Sequence, residues 1–304
     1  MATIKNVSLP VLTALSFSGS FIAAKYTTLY LEPLTTTLFR YIIALLTLWV
    51  MALFYQKRSL LRVFRRDLIK FFLLGLFGIV GYHFFFFSSL KYTAVANSAI
   101  INAFNPAVTA LMAGIFIKER LNGKNYMGLV VAMAGVILLV TRGHAANLLY
   151  LNFNLGDLLM LAAVVCWVIY SLIVKTISSK YSGLTITFYA ALFGVGQLSL
   201  LALSENLPEQ MAHISGAAIW ALLYMGVVAS GIGYLLFNLS IAAIGPTRTS
   251  SFTYSLVPIF VAILALVFFG EGITSLMIFS TVPIIAGLYL LAINRELSGQ
   301  KIYD

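Results

Sequence analysis

Continuous apolar runs of about twenty residues, separated by short polar breaks, organise this chain. They fall at roughly 8–30, 34–55, 68–90, 93–117, 124–141, 156–176, 184–204, 215–241, 246–269 and 274–293. A helix needs about 20 apolar residues to cross the hydrocarbon core of a bilayer. A membrane β-barrel would instead alternate polar and apolar positions in segments of about ten residues. These runs do not alternate, so the pattern predicts an all-α integral membrane protein with ten transmembrane helices. The first run continues past the small residues SGS at 18–20 to Tyr30, which reads as a span and not as a cleaved signal peptide.

Composition agrees. The chain has 304 residues, of which 61% are hydrophobic and 9% charged. A soluble domain carries about a quarter charged residues, so the lipid bilayer is the expected solvent. The net charge of +10 does not call for a nucleic-acid partner, because no soluble domain with a basic face is visible. Loop topology accounts for it. The loop QKRSLLRVFRRD after the second run, placed in the cytoplasm, fixes the side of every other loop. The cytoplasmic side then holds Lys5, Lys57, Arg58, Arg62, Arg65, Arg66, Lys70, Lys118, Arg120, Lys124, Lys175, Lys180, Arg295 and Lys301. The outer side holds Lys25, Lys91 and Arg142. This asymmetry predicts a multi-pass protein of the inner cell membrane with both termini cytoplasmic.

The chain also repeats itself. NPAVTALMAGIFIKE at 105–119 aligns without a gap on VPIFVAILALVFFGE at 257–271, an offset of 152. At the same offset Tyr82 falls on Tyr234 and Asn97-Ser98 on Thr249-Ser250. ALSFSGSFIAAK at 14–25 falls on VVCWVIYSLIVK at 164–175, with Phe17 on Trp167, at an offset of 150. Spans one to five therefore match spans six to ten, giving repeats over 1–145 and 146–304. Five is odd, so the second copy enters the membrane from the opposite side. Two inverted five-helix repeats are a transporter architecture.

On these residues the chain resembles the drug/metabolite transporter superfamily, specifically the EamA family of ten-span carriers. The stretches that carry the resemblance are SSLKYTAVANSAIINAFNPAVTALMAGIFIKERL (88–121), GDLLMLAAVVCWVIYSLIVK (156–175) and SIAAIGPTRTSSFTYSLVPIFVAILALVFFGEGIT (240–274). Phe17 departs from it, standing where many members carry a tryptophan like Trp167. The resemblance implies a secondary transporter, an exporter of small metabolites working by alternating access. Implied cargo includes amino acids or their analogues, nucleotide-related metabolites and drug-like compounds, with proton or exchanged-solute coupling. The other readings are a lipid-modifying membrane enzyme and a non-transporting sensor. The chain shows no HExxH, GxSxG, DxD or GxxxxGK[ST] motif. No enzyme activity, cofactor or metal is therefore expected.

Residues able to meet a solute stand out by their cost in lipid. Arg40 lies inside the second run, near Thr36 and Thr37, and either faces a cavity or snorkels to the outer interface. Tyr82 and His83 lie in the third run, where the resemblance places central-cavity residues. His83 there binds ligand, shuttles protons or makes a buried hydrogen bond. Ser98, Asn102, Asn105 and Thr109 follow one helical face with Asn97 at its edge, as a cavity lining or as interhelical glue. Trp167, Tyr170, Tyr234 and Asn238 complete the cavity candidates. Pro106 and Pro258 would kink their helices. Glu119 and Glu271 each end a helix, where the dipole disfavours a carboxylate. They are expected in helix-end contacts, with Arg120 and Lys124 as partners of Glu119, or in gating pairs. Arg248, after Pro246, is either a cytoplasmic edge charge or part of a gate.

Overall fold

Helices form wherever the sequence is apolar enough that only an internally bonded backbone tolerates lipid. The computed structural model describes residues 2–55, 63–89, 91–92, 101–102, 104–119, 122–140, 155–269 and 275–293, and within them it is all-helical. In chain order the helices are α1 (Ala2–Thr27), α2 (Pro33–Tyr55), α3 (Leu68–Leu74), α4 (Tyr82–Ser89), α5 (Asn105–Phe116), α6 (Gly123–Val140) and α7 (Leu155–Ile177). They continue as α8 (Gly183–Leu201), α9 (Leu207–Ala212), α10 (Gly216–Tyr224), α11 (Tyr234–Ile244), α12 (Pro246–Phe269) and α13 (Ser275–Ile293). Among the described residues seven stretches are long and apolar enough to cross a membrane. Asn105–Phe116 and the apolar core of α13, Thr281–Leu290, are shorter. The chain is thus a multi-pass helical membrane protein. Asn97 and Glu271 lie outside the described residues.

Two spans are not uniform. α3 passes into α4 through a π-helical segment, Gly75–Gly81, and α10 passes into α11 through another, Met225–Gly233. A π-segment widens the helix by one residue per turn and is common at functional sites. Each leads directly into a tyrosine, Tyr82 or Tyr234, the pair found at the repeat offset. Small residues permit the close packing these segments need. A Cβ on Gly75 would stand 2.7 Å from the Gly194 backbone nitrogen, so here α8 meets the first π-segment backbone to backbone.

The remaining packing crosses the two halves of the sequence. α1 lies along α12, α2 along α8 and the second π-segment, α4 along α7, and α6 along α13. The largest fully buried side chains are Trp167, Tyr41, Tyr170, Phe71 and Phe237. Large apolar side chains such as Phe54, Trp220 and Phe279 point outward, the surface expected where the surroundings are lipid.

One end of the bundle is fastened by Glu205, which follows α8. Its carboxylate accepts from the Leu34 amide at 3.0 Å and from the Thr35 amide and hydroxyl at 2.7 Å each. It therefore caps the N-terminus of α2 from a distant part of the chain. Nearby, Lys91 pairs with Glu32, and the Glu32 amide donates to Gln210 at 2.7 Å. At the other end Asp67 accepts from the Tyr181 hydroxyl at 2.8 Å and sits 3.5 Å from the Lys180 ammonium. Removing the α2 cap with Glu205→Ala is expected to cost about 0.5–2 kcal/mol. A lowered melting temperature of the detergent-solubilised chain will show it, and an unchanged one will contradict it.

Candidate functional site

Both π-segments deliver their tyrosines to one internal cavity. It is a narrow, partly open cleft between the helices, lined mainly by aromatic side chains. α1 contributes Phe17, Ser20, Phe21 and Ala24, α2 contributes Arg40, and α4 contributes Tyr82, His83, Phe86 and Phe87. From the other half come Trp167 on α7, Tyr234 on α11, and Tyr254 and Val257 on α12.

The walls are aromatic and mutually braced. Trp167 packs on Tyr82 at 4.9 Å between ring centroids and on Tyr234 at 5.1 Å, while Phe17 stands edge-on to Trp167 at 6.0 Å. Such offset and edge-to-face pairs favour fixed geometries. The Tyr234 hydroxyl donates to the Gly78 carbonyl at 3.0 Å, a carbonyl inside the first π-segment. His83 Nδ1 lies 2.9 Å from the Ile79 carbonyl. A carbonyl can only accept, so Nδ1 carries the proton and Nε2 keeps its lone pair.

Among the described residues Arg40 is the one charged side chain on this wall. It does not snorkel: it is only 4% exposed, and its Nε donates to Ser230 Oγ at 2.9 Å within the second π-segment. Its guanidinium lies 5.7 Å from the Tyr41 ring centroid. Among the described residues no carboxylate pairs with it. Arginine does not deprotonate in proteins, and a buried unpaired charge is costly.

Of the sequence candidates, Arg40, Tyr82, His83, Trp167 and Tyr234 meet at the cavity. Tyr170 and Asn238 do not line it; they bond to each other. Asn238 Nδ2 donates to the Tyr170 hydroxyl at 2.8 Å and to Thr187 Oγ1 at 2.9 Å, tying α7, α8 and α11 together. Asn102 is buried but lies off the cavity wall. Phe21, Phe86, Phe87 and Tyr254 were not singled out from the sequence. Tyr254 had a usable signal, because at the repeat offset it is the counterpart of Asn102.

Beyond the cavity, toward Glu119, the halves are sutured by polar side chains. Ser250 donates to Asn105 Oδ1 at 3.0 Å and Thr109 to the same oxygen at 3.2 Å. Within the second half Ser240 and Thr249 share a bond at 2.8 Å. Asn105 and Thr109 thus act here as interhelical glue. Pro106 sits in the first turn of α5, where its missing N–H costs nothing. Pro258 lies inside α12, and Ser18 of α1 donates to the adjacent Val257 carbonyl at 3.3 Å.

Glu119 has a partner on another helix; Arg120, one of the neighbours the sequence pointed to, lies outside the described residues. Lys118 adopts a left-handed φ of 53°, and the Glu119 amide folds back to the Ala113 carbonyl at 3.1 Å. This turns the carboxylate to the start of α12, where it accepts from Thr247 Oγ1 at 2.8 Å. There the dipole of α12 favours it. Gly245, at φ 87°, packs so tightly that a Cβ would overlap Glu119 Oε1. Burial pushes the Glu119 carboxyl above its ordinary value, opposed by its Thr247 bonds and by the Lys175 and Arg248 charges. Arg248, half-buried beside Thr247, is close enough to act on it.

The architecture defines a helical membrane protein with an aromatic cleft lined from both halves of the sequence. Comparison with known proteins identifies the group. The chain belongs to the EamA-like transporter family, whose model matches it twice, at 5–141 and 154–293. It is 30% identical over 286 residues to the uncharacterized transporter YyaM of Bacillus subtilis (strain 168), covering 93% of this chain and 92% of that one. It is 27% identical over 237 residues to a probable terminal-alkyne amino-acid exporter of Streptantibioticus cattleyicolor, covering 78% and 76%. A crystal structure of a further protein superimposes with a TM-score of 0.75 at 19% identity, covering 94% of this chain and 98% of that one, which shows a shared fold.

Two outcomes follow from this geometry. Asn238→Leu strands the buried Tyr170 hydroxyl and removes a donor from Thr187 Oγ1, and should cost about 1–3 kcal/mol, read as a drop in melting temperature with the helical circular dichroism intact. For Glu119, a carboxyl whose folded value is raised contributes stability at low pH and loses it as pH climbs from 4.5 through that raised value. The melting temperature should therefore fall over that window by less in Glu119→Gln than in the wild type. Equal pH profiles would remove Glu119 from the account.

Proposed function

We propose that the chain is a secondary carrier that exports small metabolites by alternating access between two inverted five-helix halves, 1–145 and 146–304. The carrying observation is a single cavity built from both halves, with residues that correspond at the repeat offset, Phe17 with Trp167 and Tyr82 with Tyr234, facing one space. An inverted pair of halves can exchange conformations, so that the shared site opens to one side and then to the other.

The loop charges supply the direction. With the basic loop after α2 in the cytoplasm, Glu119 and Asp67 stand at the cytoplasmic end and Glu32 and Glu205 at the outer end of an inner-membrane protein. The α1 and α2 residues on the cavity wall occupy the outer half of their helices and those of α12 the cytoplasmic half. Contacts between the halves lie on both sides: Asn105–Thr109–Ser250 and Glu119–Thr247 toward the cytoplasm, and Leu34 and Thr35 with Glu205 and Glu32 with Gln210 toward the outside. Alternating access would break one set at a time, each bond worth about 0.5–1.5 kcal/mol net.

Cargo classes consistent with an aromatic lining are amino acids or their analogues, nucleotide-related metabolites and drug-like compounds. The exporter among the relatives favours a metabolite over a lipid. No carboxylate lines the cavity among the described residues, which favours exchange for another solute, or a proton route through His83, over a carboxylate relay.

The test is release from liposomes containing the purified chain and loaded with amino acids, nucleosides and cofactor-like metabolites, followed by mass spectrometry. Selective release above protein-free vesicles, lost in His83→Ala, is the expected result. No release of any solute, with and without an imposed pH gradient, would overturn the carrier reading.

A further inference from the structure

The unmet bonding capacity of the cavity says which chemistry its cargo must bring. Arg40 spends one N–H on Ser230, and the rest of its guanidinium has no acceptor among the described residues. A second buried donor belongs to the same wall. The Trp167 indole N–H has no acceptor among the described residues, and its side chain is 1% exposed. Buried donors are normally satisfied, so a guanidinium and an indole N–H left open on one wall mark a place where acceptors arrive from outside.

Charge balance narrows the class. The wall carries a permanent positive charge and, among the described residues, no carboxylate. A single negative group would neutralise it. An ammonium would add a second positive charge to a site with only aromatic faces and the His83 Nε2 lone pair to receive it. A dianion would overshoot. Phe17, Phe21, Tyr82, Phe86 and Trp167 offer flat apolar surface to the remainder of the molecule.

We propose that the cargo is an organic monoanion with a flat apolar body, a monocarboxylic acid whose carboxylate seats on Arg40 in a two-bond fork and whose body lies against the aromatic wall. Zwitterions, neutral molecules and cations are disfavoured by the same wall. This rests on the reading of the cavity as the carrier's solute site. It also gives Arg40 a second signature. An arginine that holds the fold together stabilises the empty protein, whereas one kept unpaired for a cargo burdens it.

The experiment uses four probes of one skeleton: 3-phenylpropionate, L-phenylalanine, 3-phenylpropanamide and phenethylamine. Each is titrated into the purified full-length chain in detergent, for wild type, Arg40→Met and Arg40→Lys, with thermal unfolding as the readout. The expected result is that 3-phenylpropionate stabilises the wild type most, phenylalanine roughly tenfold more weakly, and the amide and amine not at all. Arg40→Met should melt no lower than wild type when empty and bind the acid roughly 100-fold more weakly. Arg40→Lys should keep part of the binding. The proposal is overturned if Arg40→Met binds the acid as wild type does or melts well below it when empty. It is equally overturned if the amine or the amide binds at least as well as the acid, or if none of the four stabilises the wild type.

The liposome assay separates this from the carrier reading. Release of only cationic or zwitterionic solutes sinks the anion site and leaves the carrier intact. Binding of 3-phenylpropionate through Arg40 with no solute released leaves the anion site and sinks the carrier.

Discussion

In hydrocarbon a polar group has only protein to bond with, and this requirement shapes the molecule more than any single packed pair. The ends of helices pose it most sharply, because the first amides of each have no partner within the helix. The chain meets it in two ways. Ser182 and Ser215 cap α8 and α10 with their own hydroxyls. Glu205 and Glu119 reach across the fold to cap α2 and α12. The second solution does more than satisfy amides. It fastens distant segments together, so the chemistry that makes helix ends tolerable in lipid also sets the relation between helices far apart in sequence.

The cavity differs from the rest in what it leaves open. Many buried polar side chains are tied into groups such as Tyr170–Asn238–Thr187 or Asn105–Thr109–Ser250, each spanning two or three helices. At the cavity wall a guanidinium and the Trp167 indole N–H are left open side by side with aromatic faces. The two π-segments shape this wall. They widen the helices where α8 and α2 press most closely, and beyond that point each presents a tyrosine to the space between the halves. A site held by rigid aromatic contacts, with its polar capacity unspent, is already shaped for its solute before the solute arrives.

Much of this was legible in the sequence, for local reasons. Apolar run length reveals helices, and the gapless offsets of 150 and 152 reveal which residues are counterparts. Arg40, Tyr82, His83, Trp167 and Tyr234 could be singled out because charged or amphipathic side chains in lipid need a reason. What the sequence could not supply was which polar groups find each other. Tyr170 and Asn238 look like cavity residues until they are seen to bond together. Glu119 has a bonding partner 128 residues away, which no local pattern announces. Pro106 stands in the first turn of α5, and from sequence a proline marks a helix start and a kink alike. The π-segments left only the glycines in GLFG and SGIG as a trace, and small residues are equally at home in ordinary close packing.

The contact between Gly245 and Glu119 carries a consequence for how such a chain can change over generations. A methyl group at 245 and a carboxylate at 119 compete for one volume. The effect of a substitution at either position is therefore conditional on the other, although they are far apart in sequence and belong to different halves. Losing the carboxylate at 119 frees the space but not the backbone, because φ of 87° at 245 still strains any side chain. Glycine at 245 is thus held twice, once by its own turn and once by a residue in the other half of the sequence, so positions in one half stay answerable to positions in the other.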